Sequence, residues 1–247
     1  VGYALLLVIA PKTFRFYGWK AELLFLSAAL SGVTLYFLCE NMALTFTQAS
    51  NVGVIVSIAP IFTAILAQFF LKDEKLTARF FLGFVVALAG IGLIHFSGKI
   101  ILQLNPVGDL LALLACILWG AYSILMRKLA PFGVPNLVAT RRIFFYGLVT
   151  ILPLFAFMGF SPDWAALARP VPLASLLFLG VFASALCYVS WNWCMDVLGA
   201  IKTSNYIYLI PVVTVVLSHF LLDERITLPS LAGVGLTMLG LFLSEQK

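Results

Sequence analysis

Charge is what this sequence has least of. Of 247 residues only 10% are Asp, Glu, Lys or Arg, whereas a soluble domain carries about 25%, so an ordinary water-facing fold is excluded. Histidine occurs twice (His95 and His219), and the four cysteines, Cys39, Cys116, Cys187 and Cys194, all lie inside apolar runs. No C-x-x-C pair is present and neither histidine stands at ligand spacing to a thiol, so no metal site, disulfide framework or cofactor is expected. Strict apolar–polar alternation is missing too, and with it the signature of a membrane β-barrel. The net charge of +5 is not gathered into a basic cluster interleaved with aromatics, so nucleic acid is not an expected partner.

What is present is apolar length. Runs long enough to cross a bilayer cover about 21–44, 51–71, 78–96, 109–129, 138–157, 173–195, 203–222 and 228–244, with a short apolar remnant at Val1–Ala10. The expected fold is all-α, a polytopic helical membrane protein with eight helices and a stub.

The chain is also written twice. A shift of 151 places Asn41 on Asn192, Ala49 on Ala200, Pro60 on Pro211 and Thr63 on Thr214. After a one-residue deletion, a shift of 150 places Asp73-Glu74 on Asp223-Glu224, Thr77 on Thr227, Gly83 on Gly233 and Gly90 on Gly240. The expected organisation is a first repeat at 1–96, a connection at 97–107 and a second repeat at 108–247. In this register the first repeat lacks about one and a half helices, so ten are expected when both are complete. Five crossings separate equivalent helices, which turns one repeat upside down, an arrangement characteristic of secondary transporters. Alternating the loops puts twelve Lys and Arg on one side and three on the other. The rich side, with loops 11–20, 72–79 and 127–142, is then cytoplasmic.

Individual residues narrow the reading. Asp73-Glu74 and Asp223-Glu224 precede Thr77 and Thr227, which read as helix N-caps; carboxylates there favour a helix start over acid–base chemistry. Gly83, Ala87 and Gly90 share a helix face, as do Gly233, Thr237 and Gly240, which suits close packing in lipid. Pro60 and Pro211 fall mid-helix at matching positions, where interrupted helices mark binding sites. Glu40 with Asn41 is the sharpest signal, because a carboxylate at that depth needs a cavity or a partner and is a candidate proton carrier. Glu22, beside Lys20, reads as an interfacial anchor. Asn192, Asn205 and Tyr208 mark an inner polar vestibule with Asp196 and Lys202, matching an outer one of Glu40, Asn41, Gln48 and Asn51. Trp119, Tyr122 and Ser123 share a face of the 109–129 helix. His219 stands four residues before Asp223, close enough for a local pair.

The stretch GDLLALLACILWGAYS at Gly108–Ser123, Arg141 and Arg142 in the next helix, and the duplicated A-x10-P…E-[KR]-[LI]-T-x5-G-x6-G pattern resemble the EamA-type branch of the drug/metabolite transporter superfamily. The resemblance implies ten helices in two inverted five-helix repeats around a central cavity. It also implies transport of amino acids, metabolites or drugs, often as efflux. The sequence departs from that pattern at its N-terminus and in one extra residue between Pro60 and Glu74. The expected function is a secondary transporter, an exporter of small organic solutes, in an inner membrane of bacterial type. Expected substrate-binding residues are Glu40, Asn41, Trp119, Tyr122, Ser123, Asn192, Asn205 and Tyr208, with helix breaks at Pro60 and Pro211. Expected partners are a small-molecule substrate, the lipid bilayer, a proton as coupling ion and a second copy in a homodimer. The rival readings are a non-transporting assembly subunit and a membrane enzyme or flippase acting on lipid-linked substrate.

Overall fold

The computed structural model describes residues 1–11, 15–96, 105–157, 159, 163–222 and 227–245. Helices are α1 (Gly2–Ile9), α2 (Trp19–Phe46), α3 (Ala49–Val56), α4 (Ala59–Phe70), α5 (Ala78–Phe96), α6 (Pro106–Leu129), α7 (Asn136–Phe157), α8 (Trp164–Leu167), α9 (Pro170–Leu198), α10 (Ala200–Asn205), α11 (Leu209–Leu222) and α12 (Leu228–Glu245). Among the described residues, eight spans are long and apolar enough to cross a membrane. Helix is the outcome these runs require, because lipid offers backbone groups no partner outside their own segment.

The ends follow local chemistry. Asn105 caps α6, its Oδ1 accepting from the Val107 and Gly108 amides at 3.1 and 3.2 Å, with Pro106 in the first turn. Thr77 accepts from the Phe80 amide at 3.2 Å and Thr227 from the Ser230 amide at 3.3 Å, the two N-caps expected. Residues 223–226 lie outside the described residues, and with them the Asp223-Glu224 turn and the expected His219–Asp223 pair.

Both repeats interrupt their helices at corresponding places. The first copy turns at Ser57–Ile58, immediately before α4, which carries Pro60 in its first turn. In the second copy a 3-10 segment at Tyr206–Tyr208 separates α10 from α11, which carries Pro211. A second pair of irregularities was not foreseen: α2 is π-helical at Leu30–Leu35 and α9 at Leu179–Leu186, segments that overlap under the 151 shift and end at the same position. Such bulges admit an extra residue per turn and bend the helix.

The two copies meet along α5 and α12. A Cβ on Gly83 would lie 2.5 Å from the Gly240 carbonyl oxygen, and one on Gly90 would lie 2.6 Å from that of Gly233. As one number rises the other falls, so these repeat-equivalent helices run antiparallel at backbone contact. Glycine is required because nothing larger fits.

Charge ties α2 to α7. Glu22 was expected to be an interfacial anchor; instead it is buried, and both its oxygens meet the Arg142 guanidinium, at 2.6 and 2.9 Å. The Tyr146 hydroxyl donates to the same carboxylate at 2.7 Å. The physical reason is that a forked, hydrogen-bonded pair tolerates burial where a lone carboxylate does not.

Candidate functional site

A cavity of about 140 Å³ opens where the interrupted helices of the two copies face each other. Its wall is Tyr36 from α2, Val56 and Ala59 from either side of the first break, Cys116 and Trp119 from α6, Trp191 from α9, and Ile207 and Ile210 across the second break. Breaking a helix at this depth supplies the room, since two short segments diverge where one straight rod would fill the space.

Aromatic rings dominate. Trp119 sits at the hub, its ring centroid 5.1 Å from Tyr36, 5.4 Å from Trp191, 5.3 Å from Tyr122 and 5.6 Å from Tyr188. The Tyr36 hydroxyl donates to Glu40 Oε1 at 2.9 Å, one helical turn away, so a half-buried carboxylate stands behind the cavity wall. Trp191 Nε1 is buried with no hydrogen-bond partner. An apolar chamber with an unused N–H donor and a nearby carboxylate can hold a small, largely apolar body and orient its polar end.

Behind Trp119 lies a second layer that fixes it. The Tyr122 hydroxyl donates to Asn192 Oδ1 at 2.7 Å, and Asn192 Nδ2 donates to Thr140 Oγ1 at 2.9 Å, linking α6, α9 and α7. The Tyr188 hydroxyl donates to the Gly32 carbonyl within the π-helical part of α2. All of these side chains are buried, where hydrogen bonds have no water to replace them.

The expected site residues therefore divide. Trp119 lines the cavity, Glu40 reaches it through Tyr36, and Tyr122 and Asn192 support it from behind. Ser123 is buried and donates to the Trp119 carbonyl at 3.0 Å, a bond within its own helix. Asn41 is exposed, donates to the Phe37 carbonyl at 2.7 Å, and borders a separate apolar groove of about 420 Å³ between α2 and α7. Asn205 and Tyr208 are away from the cavity: Asn205 donates to the Ser244 carbonyl at 3.5 Å, and Tyr208 packs with Phe84, Ala87, Ile91 and Leu241. Their neighbours Ile207, within the 3-10 turn, and Ile210, just after it, take the lining positions instead. Pro60 and Pro211 are both buried, next to the breaks.

Of the eight lining residues only Trp119 was among the expected site residues; Tyr36, Cys116 and Trp191 are the polar, thiol and aromatic members that were left out of that set. Tyr36 was legible, since it stands four residues before Glu40 and on the same helical face. Trp191 adjoins Asn192, and Cys116 shares a face of α6 with Trp119, but neither differs in type from ordinary lipid-facing or packing residues. The expected inner vestibule is not an open mouth. Asn192 and Asn205 are buried, while Asp196 is exposed on a distinct pocket of about 180 Å³ with Arg127 and Asn136.

The acidic turn has a partner in the other copy. Glu74 accepts from the Ala200 amide at 2.8 Å and the Ile201 amide at 2.7 Å, and pairs with Arg127 Nε at 3.2 Å. Thr77 caps the helix that follows it, so the carboxylate is left to reach across to α10. Among the described residues no cluster of His, Cys, Asp and Glu is arranged to hold a metal.

The model of the EamA-like transporter family matches residues 1–96 and 106–245. An uncharacterized transporter of Archaeoglobus fulgidus is 27% identical over 98% of this chain and 85% of its own length. The uncharacterized transporter YyaM of Bacillus subtilis is 30% identical over 83% of this chain and 67% of its own. A probable terminal-alkyne amino-acid exporter of Streptantibioticus cattleyicolor is 27% identical over 88% and 71%. A solved crystal structure superposes with a TM-score of 0.79 at 19% identity, over 98% of this chain and 82% of the other, and so shares the fold. The helices, their duplicated breaks and these matches together identify a multi-pass membrane transporter, not an enzyme: the chain belongs to the EamA-like transporter family.

Proposed function

We propose that this chain is a secondary transporter that exports small organic solutes by alternating access between two inverted repeats. The observation that carries the reading is the aromatic cavity at the meeting of the two helix breaks, with Glu40 held behind its wall by Tyr36. Antiparallel contact of the equivalent helices α5 and α12 supports the inversion. In this reading the loops at 11–20, 72–79 and 127–142 face the cytoplasm of a cell bounded by a bacterial-type inner membrane.

Trp119, Tyr36 and Trp191 hold the apolar body of the substrate, and Trp191 Nε1 offers it a hydrogen bond. Glu40 meets the substrate's amine or carries the coupling proton. Tyr122 and Asn192 keep Trp119 in place, and the breaks before Pro60 and Pro211 let the segments on either side swing. Export of an amino acid, the activity named for the Streptantibioticus relative, fits a site of this size and chemistry.

The test is transport by purified protein in liposomes, screened with amino acids and amphiphilic amines under an imposed pH gradient. Uptake or counterflow of at least one solute is expected, with Glu40→Gln abolishing its dependence on the gradient. No solute moved, or a Glu40→Gln variant indistinguishable from the parent, contradicts the assignment.

A further inference from the structure

We propose that Glu74 is a gate residue: its carboxylate, seated on the first amides of α10 and on Arg127, clamps the two repeats shut on the side of the 72–77 turn. This inference rests on the alternating-access reading above.

The geometry is specific. Glu74 belongs to the first repeat, while the Ala200 and Ile201 amides and Arg127 belong to the second, at 2.8, 2.7 and 3.2 Å. Gly199 makes the approach possible, because its φ of +90° suits glycine and a Cβ there would lie 3.0 Å from Glu74 Oε1. The clamp covers a plug. Ala67, Ile124 and Ala200 are buried together, with Leu66, Leu71 and Ile201 packed on them. Ala67 and Ile124 each follow a cavity-lining residue, Ala59 and Cys116, by eight positions along a helix. With Trp119 five residues before Ile124, the plug therefore stands about 8–12 Å from the cavity-lining residues, towards the turn.

Among the described residues, the equivalent positions at the opposite mouth are less buried. Ala200 is fully buried, whereas Ala49, which the 151 shift places on it, is exposed; Gly199 is buried and its counterpart Gln48 is exposed. Helix α10 packs along α4, and among the described residues α3 and α11 make no comparable contact. Among the described residues the two copies thus differ at the helix start on which Glu74 is seated. In a carrier whose halves exchange roles, the side held by such a contact is the closed side, and the contact must break once per cycle.

Cys116, on the cavity wall and 1% exposed, is a native reporter. With Cys39, Cys187 and Cys194 changed to Ser, a membrane-impermeant maleimide is applied to vesicles from one side at a time. Glu74→Gln is expected to raise the rate of Cys116 labelling from the turn's side by at least about tenfold, because charge-assisted hydrogen bonds are lost. Labelling from the other side should not rise. An unchanged rate in folded Glu74→Gln protein overturns the proposal, as does an equal rise from both sides, the mark of general loosening.

A second arm covers the case in which that variant does not fold. Cysteines at Leu71 and Ile201, joined by a bifunctional maleimide, should stop counterflow and block labelling of Cys116 from the turn's side; continued exchange overturns the clamp. If labelling responds as expected while no solute is ever exchanged, the transport reading fails and the gate stands. If solute exchange occurs but labelling does not respond, the gate fails alone.

Discussion

Replacing Gly240 by alanine puts one methyl group where the backbones of α5 and α12 touch. The added Cβ would lie 2.4 Å from the Ala87 amide nitrogen and 2.6 Å from the Gly83 carbonyl oxygen, both backbone atoms that no rotamer change can move. Restoring van der Waals distance separates the helices by about 1 Å, which forfeits roughly a quarter to a half of the attraction along the seam. Overpacking of this kind costs about 1–3 kcal/mol. Alanine also gains about 1 kcal/mol in helix propensity, so a control is needed to isolate the strain. Gly235 supplies it: it lies on the same helix, is exposed, and a Cβ there meets nothing within 4 Å. Gly235→Ala keeps the propensity gain alone, so the two variants should differ by the strain, about 1–3 kcal/mol. Unfolding by sodium dodecyl sulfate in mixed micelles, followed by tryptophan fluorescence, reads the difference as a shift of midpoint. Gly240→Ala as stable as Gly235→Ala refutes backbone contact between the repeat-equivalent helices.

Three further outcomes are expected. Glu22→Ala leaves the partly buried Arg142 guanidinium with the Arg15 carbonyl but no carboxylate and should cost about 3 kcal/mol in the same assay; Glu22→Met with Arg142→Leu should recover most of that. Tyr122→Phe strips Asn192 Oδ1 of its donor and should cost about 1–3 kcal/mol. Cys116→Phe adds a ring to a cavity of about 140 Å³; it should suppress solute exchange in liposomes while purified protein remains monodisperse by size-exclusion chromatography.

The helices were legible because lipid leaves the backbone few options; the duplication was read from proline, glycine and threonine recurring at fixed offsets. The two N-caps and the small-residue faces follow from local chemistry, and the structure places them as expected. The site was legible in part. Glu40 and Trp119 stand out by type and depth, but the side a helix presents depends on irregular turns that composition does not encode. Asn205 and Tyr208 lie on the polar-looking stretch of their span, yet Asn205, at the end of α10, meets α12 and Tyr208, in the 3-10 turn, packs on α5 and α12, while Ile207 and Ile210 face the cavity. Glu22 was misread because its partner, Arg142, is 120 residues away. Glu74 was taken only as a favourable neighbour of its own helix; its true partners, across in the other repeat, appear only once the chain is folded.

Opposite embedding of the two copies is the claim on which the transport mechanism stands, and sided labelling tests it directly. Single cysteines at Lys75 and at Leu228, placed in protein whose four native cysteines are replaced by serine, are exposed to an impermeant thiol reagent in sealed vesicles of known orientation. Labelling of the two positions from opposite faces of the membrane is the result expected; labelling of both from the same face would contradict it.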